Sequence, residues 1–228
     1  MLKPKRKITK KEIKHDPFLE SIFSFKEHLN EKKQLYTRSV IGFLAVILLV
    51  LFYTNNQSVN REAAENIFSK AMVYIGLDDN ENAMIHLREV IDEYGSTSSG
   101  KDASYYLGRI YFDKNEYEMA LPHFERYANK GNNPLFYGST YQALVEIYKS
   151  NNDITKAIKY QRMSRENANS KEEGAWAALG LAELSLAIGN KQDALKLVND
   201  VLADFEDNFE LKQKADEVMG KIVGWEQG

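Results

Sequence analysis

The chain alternates between two hydrophobic patterns. Residues 39–54 read SVIGFLAVILLVLFYT, sixteen positions without a charge, whereas from about residue 60 onward apolar residues recur three and four apart among Lys, Glu and Asn. The second pattern is that of amphipathic helices, each burying one stripe. It predicts helices over 60–77 and 81–94, 100–114 and 116–129, 134–150 and 153–168, 171–188 and 191–204, with a ninth at 209–222. Strand-like alternation is scarce and the chain has only 4 Pro. The expected fold class is therefore all-α: one N-terminal transmembrane helix, then an α-solenoid of about four helix pairs with a C-terminal capping helix.

The uncharged run has a different period and a different meaning. Sixteen helical residues span about 24 Å, short of the roughly 30 Å hydrocarbon core, and extension back to Leu35 and Tyr36 supplies the missing length. Arg38 can snorkel to the headgroups, and Tyr36 and Tyr53 stand where aromatic rings favour the interface. A buried core helix would show a polar stripe, which the middle turns lack. A cleaved signal peptide does not fit either. The run starts nearly forty residues in, and TNNQSVNRE after it offers no small-x-small cleavage site.

Charge sets the expected orientation. Residues 1–38 hold eleven Lys and Arg against five Asp and Glu, and the remainder nineteen against twenty-eight. Lys32, Lys33 and Arg38 precede the apolar run closely, while after it only Arg61 is near. The positive side stays in the cytoplasm, so residues 1–38 are expected there, 39–54 in a bacterial inner membrane, and 57–228 outside it in the periplasm. Within the tail, Phe18, Leu19, Ile22, Phe23, Phe25 and Leu29 predict a short amphipathic helix, lying on the membrane surface or docking a cytosolic partner.

The helical region repeats. Ala83, Ala120, Ala157 and Ala194 are spaced 37 apart, and nine residues before them stand Tyr74, Tyr111, Tyr148 and Ser185. Twelve before them are Ala71, Gly108, Val145 and Ala182, and four after are Leu87, Phe124, Gln161 and Val198. Turn formers separate the halves, as in Asp78-Asp79-Asn80 and Asn151-Asn152-Asp153. A small residue early in the second helix lets its partner approach, and no pair buries its own apolar face, so pairs must stack.

These columns resemble the tetratricopeptide repeat. The second unit carries Leu107, Gly108, Tyr111, Ala120 and Phe124 in the family's order, with Pro134 near the closing position and Ser104 where Trp is usual. The third keeps Tyr141, Leu144, Tyr148 and Ala157, and the fourth Leu181, Ala182 and Ala194. The first is the poorest match, with Lys70 in place of Leu. The family geometry implies that the first helix of each pair lines a groove. The residues it would present are Glu65, Phe68, Met72 and Ile75; Asp102, Tyr105, Arg109 and Phe112; Ser139, Gln142, Glu146 and Lys149; and Trp176, Leu179, Glu183 and Leu186. The alternative for each is packing inside the repeat. Aromatic and aliphatic anchors in such a groove imply binding of other proteins or unfolded segments. The Lys and Asn set that clamps a peptide's C-terminal carboxylate is missing.

Catalytic chemistry has nothing to build on. Cysteine is absent, and no GxGxxG, Walker loop, GxSxG or HExxH occurs. His86 and His123 share a repeat position and are expected on the outer side of the second helices rather than as a metal pair. No enzyme, cofactor, metal or nucleic-acid partner is expected. A basic tail, a single anchor and an acidic repeat domain together resemble the YfgM-type ancillary subunit of the SecYEG translocon. That resemblance implies a scaffold near the translocon or periplasmic chaperones. The alternative is a scaffold of another envelope complex, in cell division or outer-membrane assembly. An open solenoid end also leaves room for a second copy.

Overall fold

A computed structural model describes residues 17–224. The chain divides into two compact units, Met1–Ser58 and Val59–Gly228. Among the described residues every regular element is helical. The basic stretch at 1–16 lies outside them.

In the first unit, α1 (Pro17–Glu31) begins on a proline, which suits the first helical turn, and carries Phe18, Phe23 and Phe25 exposed. Lys32 separates it from α2 (Lys33–Gly76). The chain remains hydrogen-bonded across that residue, Lys32 N–H to His28 O at 3.2 Å and Tyr36 N–H to Lys32 O at 3.0 Å. The predicted anchor and the first repeat helix are thus one uninterrupted helix. From Val40 to Tyr53 its large apolar side chains are 38–74% exposed. Among the described residues this is the one helix long and apolar enough to cross a membrane.

In the second unit the end of α2 pairs with α3 (Asn80–Tyr94), α4 (Ser98–Asp113) with α5 (Tyr117–Lys130), α6 (Tyr137–Ser150) with α7 (Ile154–Glu166), and α8 (Lys171–Ala187) with α9 (Lys191–Asp204). Then α10 (Phe209–Gly224) packs on α8 and α9. A short 3₁₀ turn, Pro134–Phe136, leads into α6, where an unbroken helix from 134 is expected. Its proline accounts for the difference, since the tight turn satisfies the chain before α6 begins.

The 37-residue period is written into the turns as well. Asp78, Asn115, Asn152 and Gly189 all have φ between 57° and 79°. Only Gly, Asn and Asp take that left-handed conformation at low cost. At each turn the next amide bonds back to the carbonyl of the residue nine before the alanine column: Asp79 to Tyr74, Glu116 to Tyr111, Asp153 to Tyr148 and Asn190 to Ser185, at 2.8–2.9 Å. This is the Schellman closure of a helix C-terminus. Asp79, Asp153 and Asn190 then cap the following helix through their side chains.

Ala83, Ala120, Ala157 and Ala194 are fully buried. Gly108 lets Phe124 come close, since a Cβ there would stand 3.2 Å from its ring. Tyr111, Tyr148 and Phe124 are also buried. Two clusters result. The first spans α2 to α7, takes in Leu184 of α8 and is rich in Tyr and Phe, whereas the second joins α8, α9 and α10 through Ala, Leu and Val. Gln161 marks the boundary between them, where its Nε2 donates to Ala177 O at 2.9 Å and lies over Gly180.

Candidate partner-binding groove

The first helices of the pairs stand side by side, and side-chain contacts join each to the next. Phe68 on α2 meets Tyr106 on α4 with ring centroids 5.8 Å apart. Tyr105 on α4 shares a hydrogen bond with Ser139 on α6 at 2.9 Å. Gly138 on α6 leaves room for Glu173 on α8, which a Cβ would approach to 2.7 Å. Glu183 on α8 receives Lys214 at 3.1 Å and Lys221 at 2.7 Å from α10.

The expected groove residues divide into three groups. Arg109, Gln142, Glu146 and Lys149 are exposed, and Trp176 is 42% exposed. Phe68 and Met72 are half-buried and keep a surface. Glu65 is exposed and Ile75, Asp102, Ser139 and Glu183 are half-buried, whereas the rest are occupied elsewhere. Tyr105 is only 9% exposed and stacks on Phe136, 4.4 Å between centroids. Leu179 and Leu186 are buried. Phe112 packs against Tyr117 and Phe124 at 5.2 and 6.0 Å. For Tyr105, Leu179 and Leu186 the expectation of an open groove position is corrected, since the helix turns these side chains into the core, whereas Phe112 is half-buried.

The ring that takes the place of Tyr105 is its neighbour. Tyr106 is half-buried and touches Phe68, Tyr105 and Phe136 at 5.8, 5.3 and 5.5 Å. Phe136 comes from the 3₁₀ turn, and helical periodicity gives no sign of it.

The charges along this face are mostly paired. Arg109 meets Asp113 at 3.5 Å and Lys149 meets Glu146 at 3.4 Å. These are exposed pairs worth little in stability. Burial works against the Glu183 charge, but the hydrogen bonds from Lys221 and Lys214 prevail and hold its carboxyl below the usual range. Lys214 and Lys221 come from the capping helix α10, which has no repeat column to assign them to.

The histidines are not on an open outer surface. His86 stacks on Tyr74 and His123 on Tyr111, with centroids 5.5 and 5.8 Å apart and planes within 15°. In the third pair Tyr160 stacks on Tyr148 at the same positions. Repeat position therefore gives these histidines a packing role, correcting the outer-face expectation. Burial, then Arg126 and Arg88, pushes the His123 pKa down, with Asp92 opposing. Among the described residues no group of three or more metal-ligating side chains converges.

A family model described as "Tetratricopeptide repeat" matches residues 64–95. That is the first helix pair, the unit whose sequence columns fit the family least well. No curated protein matches the chain. Twenty-five solved chains are structurally similar. One is the crystal structure of a tetratricopeptide repeat protein from Parabacteroides merdae ATCC 43184, with a TM-score of 0.57 and 13% identity. The match covers 72% of this chain and 61% of that one, so the chain spans less than two thirds of its length. Residues 59–224 thus have the all-helical solenoid fold seen in tetratricopeptide repeat proteins.

Proposed function

We propose that this protein is a membrane-tethered, non-enzymatic scaffold that binds other proteins or unfolded segments along the face formed by α2, α4, α6 and α8. The carrying observation is the contrast between that partly open, aromatic-edged face and the exposed apolar surface between Val40 and Tyr53. Water does not tolerate such a surface on a stable monomer, and a bilayer removes the difficulty. The segment crosses the bacterial inner membrane once, the flanking lysines hold the N-terminus in the cytoplasm, and the repeats work on the outer side. Tethering raises the effective concentration of a weak groove near its partners. The partners we favour are translocon components and periplasmic chaperones; another envelope complex is the alternative.

Photocrosslinking in intact cells tests this. A photoreactive residue placed at Gln142 or Trp176, both exposed on the face, should capture the same partner, and one at Gln192 on α9 should not. Mass spectrometry of the captured band distinguishes translocon and chaperone partners from other envelope subunits. Capture from Gln192 alone would contradict the groove.

A further inference from the structure

Away from the groove, the last pairs of the solenoid carry two patches that match each other. The first is a cleft of about 540 Å³ between α7 and the end of α8. Ile158, Met163 and Ile188 give it an apolar lining, and Ile188 is 56% exposed. Lys159 and Arg162, both exposed, stand at its edge, and Glu166 closes it at the end of α7. α7 is a basic helix in an acidic domain, with four Lys and Arg against one Glu. Lys156 is matched by Asp153 at 3.5 Å. Among the described residues Arg162 makes no ion pair, and the Lys159 ammonium lies over the Tyr160 ring, 5.1 Å from its centroid.

The second patch is the turn from α9 into α10. Asp204, Glu206, Asp207 and Glu210 are all exposed there, with no Lys or Arg among them. Among the described residues none of the four forms an ion pair. Phe209 projects beside them, 77% exposed. An aromatic knob flanked by carboxylates thus complements an apolar cleft edged by cations, in shape and in charge. The two cannot meet within one copy. α9 starts at Lys191, just after Ile188, and runs 14 residues to Asp204, which puts the turn about 21 Å from Ile188.

We propose that Phe209 of one copy enters the cleft of Ile158, Met163 and Ile188 on the next, with Asp207 and Glu210 facing Lys159 and Arg162. A bilayer is the poorer occupant, because lipid receives protruding apolar side chains and does not fill a recess. The contact is heterologous: each copy offers one cleft and one knob, so copies associate head to tail. It rests on neither the groove nor the membrane reading.

The test is sedimentation velocity on the full chain in density-matched detergent micelles. The wild-type chain should self-associate as its concentration rises, and less so at high salt, which screens exposed charges. F209A, which removes the knob, and R162E, which reverses the edge of the cleft, should each weaken self-association about 10-fold or more. Both positions are exposed, so helical circular dichroism should not change, and K159E serves as a second cleft variant. The decisive sample mixes the two variants. R162E keeps its knob and F209A keeps its cleft, so the mixture should recover a species of two chains and stop there. Association driven by the apolar stretch of α2 would instead survive in both variants alone. A wild-type chain that stays monomeric, self-association unmoved by F209A and R162E, or a mixture that fails to pair would each overturn the contact and leave the groove reading untouched.

Discussion

Two stretches of this chain are mostly apolar, and their surroundings are opposite. On α2, Leu48 and Leu49 are 66% and 68% exposed; on α8, Leu179 is fully buried and Leu181 and Leu184 are each 6% exposed. α8 is walled in by α7, α9 and α10, and its walls explain its composition. Ala175, Ala177, Ala178 and Ala182 let three helices come close. The stretch on α2 is built from Leu, Ile, Val and Phe, with few small residues among its middle turns. A helix without a polar stripe must be covered on all sides. Small residues are what close protein packing selects, and bulky aliphatic ones are what fluid hydrocarbon accepts.

The largest effect that breaks this comparison is a charge on the first stretch. The pair L44R and L48R should move the protein from the membrane pellet to the soluble fraction, because each Arg at the bilayer centre costs about 2.5–3.5 kcal/mol. Helical circular dichroism of the repeats should persist. Next, L179A should cost about 2–5 kcal/mol by opening a cavity where three helices meet, visible as a lower midpoint in urea. L48A should leave that midpoint unmoved. N115V comes third. It forces a β-branched residue into a left-handed turn at φ 60°, at about 1–2 kcal/mol, whereas N115G should be close to neutral.

The smallest effect is on pH dependence. With its pKa depressed in the fold, His123 binds fewer protons there than in the unfolded chain. Its contribution is therefore intact above the unfolded value of about 6.5 and lost as pH falls below it. H123Y, copying Tyr160 of the third pair, should narrow the loss of stability between pH 7 and pH 5 in thermal melts.

Much of the fold was legible in the sequence, because a 37-residue period in Ala83, Ala120, Ala157 and Ala194 fixes where helices must approach. The helix bounds at 191–204 coincide with α9, and most others fall within a few residues. The open face was less legible, for a geometric reason. Tyr105 and Tyr106 differ by one position, about 100° of helical rotation, and that rotation decides which ring is core and which is surface. Phe136 sits on a turn rather than a helix, and Lys214 and Lys221 reach Glu183 from an unpaired cap. No periodic column could announce either. Asp78, Asn115, Asn152 and Gly189 were visible only as turn formers until their shared φ and shared hydrogen bond made them a column of their own.

The account stands or falls on what surrounds the apolar stretch of α2, and a protein with no cysteine allows a direct measurement. Single thiols at E20C, V46C and Q192C can be probed in intact bacterial cells, whose outer membrane has been permeabilised, with a membrane-impermeant maleimide. The prediction is labelling at Q192C in intact cells, at E20C only after lysis, and at V46C only after detergent. Labelling of V46C without detergent, or of E20C before lysis while Q192C stays silent, would contradict it.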